Sequence, residues 1–600
     1  MSGRARQRGT TMRAKRGRVR RSGRHAFVLA ALLVAFAGVA VRLVQIQAVE
    51  GRAYAAMAKE QRDLELELPA QRGSIYDREG KPLAVTTAAK TVYAVPREVA
   101  DKAGTARALA ETLGGSEEKY RTRLERKSNF VYLARRVPLE QAQALENLAL
   151  KGIYFQDDTR RVYPGSSLAC QLLGFVGVDG EGLSGVEKQY DELLAGKPGK
   201  LICEKGLSGV PIPGGVTFRE EPTDGQNVVL TIDADVQYQA QVALAETVER
   251  WKAKSGSVVV MDARTGAILA LASVPDFDPN RYWEADPQAL RCRPITDRYE
   301  PGSTVKAVTA AATIEKGLAK PDTVFRLPPT LKIGDRTIHE AHPRGTVDWT
   351  LTEIVTNSSN VGAVKLGMLL GPQGMYEYLD KFGLTERSAV DFPGEAMPSV
   401  PKPKDWSATS IGNIPFGQGL AVTPLQLARA IAAIGNGGYL VTPHVLQELP
   451  DSPTTKLEWP TRRAISEKTA AQMREVLKAV VTEGTGKGAA VQGYTVAGKT
   501  GTAQKARTDG VRGYAKGKYV ASFSGFLPAD DPAVVIVVTV DEPQGAIYGG
   551  TVAAPAFSRI GAFCMAHLGI PPRMPTVGEA TSSNESSATT ATASSQDTGR

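Results

Sequence analysis

The stretch "GSVVVMDARTGAILALAS", residues 256 to 273, decides the fold class. Two aliphatic runs flank the turn-forming segment Asp262 to Gly266, and so short a connection makes them antiparallel neighbours. A second pair stands near the other end of the chain. In "YVASFSGFLPADDPAVVIVVTVDEP", residues 519 to 543, two apolar runs are joined at Pro528 to Pro532. The intervening chain is mostly helical in pattern. In "VTPLQLARAIAAIG" Thr423 stands as a cap and Pro424 at the first helical position. Hairpins enclosing helices predict an α+β domain, an antiparallel sheet covered by helices.

Working outward, "NVVLTIDADVQYQAQVALAETVERW" reads as strand, turn and amphipathic helix, and "EEPTDG" at Glu220 to Gly225 breaks the pattern before it. A domain boundary is expected there, separating residues 47–225 from 226–572. The first of these is charged and glycine-punctuated, with helical pieces such as "LEQAQALENLAL" and strand-like ones such as "KTVYAV". Residues 573–600 are rich in Ser, Thr and Ala and lack a core-forming face, so disorder is expected.

The chain has 600 residues, too long for one core, and a net charge of +10. Residues 1–25 hold ten Lys or Arg and no acid, so the remainder carries 63 charges of each sign. Basicity is therefore a property of the tail, and a nucleic-acid partner is not expected of the folded body. Directly after the tail comes "AFVLAALLVAFAGVAV", Ala26 to Val41. Extended past a snorkelling Arg42 to Ile46, it makes a helix of roughly 31 Å, enough to cross a bilayer. A cleaved signal peptide with "AFA" as its processing site is the competing reading. The apolar run continues past that site, which favours an uncleaved helix over residues 26–46 with a cytoplasmic N-terminus. Cys170, Cys203, Cys292 and Cys564 show no C-x-x-C spacing, and His339 and His342 in "HEAH" are one residue short of a helical metal pair. Neither metal nor cofactor is expected.

Residues 299 to 308 read "YEPGSTVKAV". Pro301-Gly302-Ser303 is what an ordinary helix start looks like, with Ser303 as a cap, Val305, Val308, Ala311, Ala312 and Ile314 on helical spacing and Gly317 at the C-terminal end. The same spacing puts Lys306 beside the Ser303 hydroxyl, where a neutral amine takes a proton from a nucleophile. Downstream lie "TNSSNVGAVKLG", with Ser358, Ser359 and Asn360, and "TVAGKTGTAQ", with Lys499, Thr500, Gly501 and Thr502. Each alone is weak. Together, in the order S-x-x-K, S-x-N, K-T-G, they form the set found in penicillin-binding proteins and class A β-lactamases.

With these residues in view, the chain resembles the class B penicillin-binding proteins, which are peptidoglycan D,D-transpeptidases. The likeness includes "RGSIYDREGKPLA" (72–84), "RRVYPGSSLACQLLGFVG" (160–177), "GLSGVEKQYDELL" (182–194), "GQGLAVTPLQLARA" (417–430) and "YGGTVAAPAF" (548–557). It is similar above all to the septal, cell-division type. The resemblance implies a transpeptidase domain behind a mixed α/β pedestal of the dimerisation type. It also implies roles. Ser303 attacks the carbonyl of a stem peptide ending in D-Ala-D-Ala, and Lys306 accepts its proton. The N–H groups of Ser303 and Thr502 form the oxyanion hole. Ser358 relays the proton, Asn360 orients Lys306 and binds the donor peptide, and Lys499, Thr500 and Thr502 attract the terminal carboxylate. Gly501 lets the substrate backbone approach. β-Lactams would acylate the same serine, and a membrane glycan polymerase and division proteins are the implied partners.

Rival readings are weighed on residues. No E-x-x-L-N pattern lies between Asn360 and Lys499, against a class A β-lactamase. The three motifs do not separate a D,D-carboxypeptidase from a transpeptidase, a distinction that rests on the pedestal. A side-wall transpeptidase usually carries a longer pedestal. A non-enzymatic membrane scaffold predicts decayed motifs, and all three are intact.

Overall fold

The computed structural model describes residues 23–206, 211–507 and 513–572. The basic residues 1–22 and the tail 573–600, expected to be disordered, lie outside the described residues. Packing separates two compact units, one running to Leu68 with Pro198–Pro222, the other comprising Pro69–Lys197 and the chain from Thr223 on.

In the first unit the helix Gly23–Val44 continues through a π-helical turn, Gln45–Val49. Phe27, Leu33 and Phe36 are exposed to solvent around it. A helix apolar on every side and covered by no protein needs another apolar medium. Gly23–Val49 is the one segment among the described residues long and apolar enough to cross a membrane. Beyond the helix Gly51–Arg62, strands Asp63–Leu68, Gly199–Lys205 and Pro211–Glu220 pair antiparallel in that order.

The second unit opens with a lobe in which strands Pro82–Ala94, Val131–Pro138 and Ile153–Val162 pair antiparallel. It closes on Val92, Leu109, Leu124, Leu133 and Leu145. Three stretches singled out in the sequence meet at Glu187, which has no solvent exposure. Arg72 Nε and Arg161 Nε each donate to it at 2.7 Å, and Tyr163 Oη donates at 3.1 Å. Asp191, 2.7 Å from Arg72, offsets the second cation.

Next come α1 (Ala234–Arg250), β1 (Ser255–Asp262) and β2 (Ile268–Val274). Helices α2 (Lys306–Glu315), α3 (Asn360–Lys381), α4 (Pro424–Gly435) and α5 (Glu467–Thr482) follow. The chain returns through β3 (Ala497–Ala506), β4 (Tyr514–Leu527) and β5 (Val534–Asp541) to α6 (Ala554–His567). Both hairpins read from the sequence are present, and they pair side by side in one sheet. β5 lies between β1 and β4, giving the antiparallel order β2-β1-β5-β4-β3, with Val259 opposite Val537. Val258 and Val260 face α1 and α6, while Val259 and Met261 face α2 to α5. Burial of both faces explains why β1 reads as an unbroken apolar run. Thr423 caps α4 through a reciprocal bond with Gln426, behind Pro424, as its sequence predicts.

Helix α2 runs through the centre of the helical layer. From Pro301 to Ile314 every residue is buried except Ser303. The four cysteines are buried and free.

Candidate active site

A 3-10 turn, Gly302–Val305, leads into α2 and carries Ser303. Gly302 has φ +56° and donates to Gly417 O at 3.1 Å, while a Cβ on Gly417 would fall 2.1 Å from Gly302 O. The two glycines interlock, and only bare Cα atoms allow that approach. The capping alternative for Ser303 is not what forms. The turn has no side-chain cap bond, and Ser303 Oγ makes no hydrogen bond among the described residues. A hydroxyl left free at the accessible point of a buried helix start is placed to react with an incoming group.

Lys306, one turn further on, is 1% exposed, and Lys499 on β3 is fully buried. Neither forms an ion pair among the described residues. Lys306 Nζ donates to Ser358 O at 2.5 Å, to Ser358 Oγ at 3.3 Å and to Asn360 Oδ1 at 2.8 Å. Lys499 Nζ donates to the same Ser358 Oγ at 3.0 Å and to Thr500 Oγ1 at 3.2 Å. One hydroxyl therefore bridges two amines. Ser358 has φ +56°, a left-handed conformation costing a non-glycine residue about 1–2 kcal/mol, here held by the bonds around it.

Burial pushes the Lys306 ammonium well below the ordinary lysine range, and Lys499 presses the same way while Glu340 opposes. Burial brings Lys499 down to about 7. The arrangement offers an amine whose neutral form burial favours, one turn from a free hydroxyl, a second amine able to charge when an anion arrives, and a serine hydroxyl between the two amines to pass a proton.

β3 is the edge strand of the sheet, so every second peptide group faces away from β4. Thr500 Oγ1 is tied to Thr485 Oγ1 at 2.9 Å, and Thr502 Oγ1 accepts from Gly549 N at 3.3 Å. A Cβ on Gly501 would meet Ser522 Oγ at 2.2 Å, Pro301 O at 3.0 Å and Thr304 Cγ2 at 3.1 Å. The glycine thus lets β3 close onto the nucleophile's own turn.

All the residues singled out in the sequence, Ser303, Lys306, Ser358, Asn360, Lys499, Thr500, Gly501 and Thr502, lie where α2, the N-terminus of α3 and β3 converge. Sequence reasoning missed Glu340, Thr485 and Gly417. Glu340 sits inside "HEAH", where only the two histidines were weighed, and nothing in its spacing ties it to the S-x-N loop.

Against known proteins, residues 256–562 match the penicillin binding protein transpeptidase domain and residues 67–230 the penicillin-binding protein dimerisation domain. The chain belongs to the penicillin-binding proteins. Within them it is of class B and is a peptidoglycan D,D-transpeptidase. It is 36% identical to stage V sporulation protein D of Bacillus subtilis over 564 residues, covering 91% of this chain and 86% of that one. It is 34% identical to peptidoglycan D,D-transpeptidase FtsI of Escherichia coli K12 over 525 residues, 86% of each. The crystal structure of penicillin binding protein 3 from Mycobacterium tuberculosis, complexed with aztreonam, superposes with a TM-score of 0.67 at 32% identity, covering 85% of this chain and 99% of that one.

Proposed function

We propose that the chain cross-links peptidoglycan stem peptides through an acyl-enzyme on Ser303, in septal wall synthesis, and that β-lactams inhibit it by acylating the same serine. One observation carries this reading: the lone accessible residue of a buried helix start lies one turn from a buried, unpaired lysine whose bridging serine also holds a second buried lysine.

The chemistry follows from the electrostatics. The terminal carboxylate of a D-Ala-D-Ala peptide, arriving on β3, favours the charged form of Lys499. A charged Lys499 in turn holds Lys306 neutral. Substrate binding thereby prepares the base, and Ser303 loses its proton to Lys306 as it attacks the carbonyl. The N–H groups of Ser303 and Thr502 receive the oxyanion. The proton returns through Ser358 to the departing D-Ala amine, and an amine from a neighbouring stem peptide then takes the acyl group. Bond energy is conserved from one amide to the next, so no nucleotide is needed. Asn360, Thr500 and the Gly501 backbone line the donor peptide.

We assign residues 26–46 to a single crossing of the cytoplasmic membrane with the N-terminus inside, 47–225 to a pedestal and 226–572 to the catalytic domain. A membrane glycan polymerase would supply the strands and meet the anchor helix. The resemblance of the sequence to the septal type supports a division role, and the aztreonam complex of the mycobacterial relative supports β-lactam binding.

Mass spectrometry after incubation with benzylpenicillin tests the reading. A stable adduct on the Ser303 peptide, absent from Ser303→Ala, is expected. Its absence from folded wild-type protein would overturn the assignment. Fluorescent fusions at the division site are expected; labelling confined to the side wall would move the role to elongation.

A further inference from the structure

Glu340 begins the loop between strand Arg336–His339 and strand Val347–Thr350. Its side chain is 6% exposed. Oε1 accepts from Ser359 Oγ at 2.6 Å and from Arg344 Nη2 at 2.5 Å, and Oε2 accepts from Asn360 N at 2.7 Å. The neighbouring carbonyl, His339 O, accepts from Asn360 Nδ2 at 2.9 Å. That last bond decides which way the amide faces. With Nδ2 on a carbonyl, Oδ1 is turned toward Lys306 Nζ, 2.8 Å away.

Capping α3 does not by itself account for this carboxylate. Ser359 already accepts from Gly362 N at 2.9 Å, and a buried carboxylate that needs its own guanidinium is an expensive cap. What Glu340 adds is charge next to the site. The charged groups bearing on Lys306 are Lys499 from β3 and Glu340 from this loop. Arg344 bears on Glu340 and stacks on Trp349 with its guanidinium 4.7 Å from the ring.

We propose that Glu340 is a positioning residue for the acylation step: it anchors Ser359 and the Asn360 backbone at the start of α3, from which Asn360 Oδ1 reaches Lys306, and it places a negative charge next to the group that receives the Ser303 proton. Burial beside a second lysine favours the neutral form of Lys306. An amine depressed too far, however, is a poor proton acceptor, and general-base efficiency falls with basicity. Glu340 sets the balance, and once the proton has moved it stabilises the ammonium. This inference rests on Lys306 being the base.

The test is the second-order rate of acylation by benzylpenicillin between about pH 5 and pH 9, on the full chain in detergent. Wild type, Glu340→Gln, Glu340→Asp and Arg344→Met are compared. The rate of wild type rises with pH as Lys306 deprotonates. In E340Q that rise is expected to move down by about one pH unit, with a plateau lower by about tenfold or more. E340D recovers part of the plateau. In R344M, which leaves the carboxylate uncompensated, the rise moves to higher pH. Opposite displacements are the signature, because a merely structural role lowers rates in both variants without moving the profile. An E340Q rise coinciding with wild type, or an R344M rise displaced downward, overturns the inference. If E340Q fails to fold, the direction of R344M decides alone. Absence of any wild-type adduct overturns the Ser303–Lys306 reading as well, whereas a normal adduct with unmoved profiles overturns this inference only.

Discussion

A buried lysine without an ion-pair partner is costly to keep, and here two face each other across one serine hydroxyl. The cost has a measurable sign. Lys499 titrates near 7 in the folded chain and near 10.5 when exposed, so between those values the unfolded chain holds a proton that the folded one lacks. Stability therefore rises with pH across that window, by up to about 1.4 kcal/mol per pH unit for each such lysine. In Lys499→Met this contribution disappears. Thermal unfolding from pH 7 to pH 9 should show a smaller gain for the variant than for wild type, and equal gains would refute the buried titration. The lysines themselves were legible in the sequence because motif order ties them to Ser303 and Ser358. Their lack of ion-pair partners was not, since spacing shows neighbours along one helix and not what fills the space between three elements. Glu340 was invisible for the same reason, and the left-handed Ser358 gives no signal in a residue that usually avoids φ > 0.

At the scale of elements, the decisive contact is β3 against the turn carrying Ser303. Gly501→Ala should drive its new methyl into Ser522 Oγ and Pro301 O, costing about 1–3 kcal/mol and parting the two halves of the site. A misplacement of about 1 Å is expected to slow acylation about a hundredfold. Removing the Ser522 hydroxyl in the double variant Gly501→Ala/Ser522→Ala should restore part of both losses; purely additive losses would place the damage elsewhere. Each hairpin was readable from its apolar runs and turn residues. Their pairing with each other was not, because the pairing of β1 with β5 spans most of the catalytic sequence and leaves no local trace.

Across the whole molecule, one apolar cluster runs from Ile75, Leu83, Leu172, Val186 and Leu194 into the helices that hold Lys306 and the S-x-N loop. Tyr190 Oη reinforces it, donating to Asp391 at 2.5 Å. Leu194→Ala, at a fully buried position far from the site in sequence, should cost about 2–5 kcal/mol. The loss should appear in the same calorimetric transition that benzylpenicillin stabilises. A separate early transition, with the ligand-sensitive one unmoved, would show that the two parts melt independently.

The strand order β2-β1-β5-β4-β3 carries a consequence for the birth of the molecule. Lys499 stands beside Ser303 only after β5 has found β1 and β4 has found β5, so the serine is made and folded around long before it has a partner across the cleft. A polypeptide delivered N-terminus first stays chemically silent until its final third arrives. Reactivity toward an acylating label then counts finished molecules, and a truncated or stalled chain, however much of it is present, leaves no mark on that count.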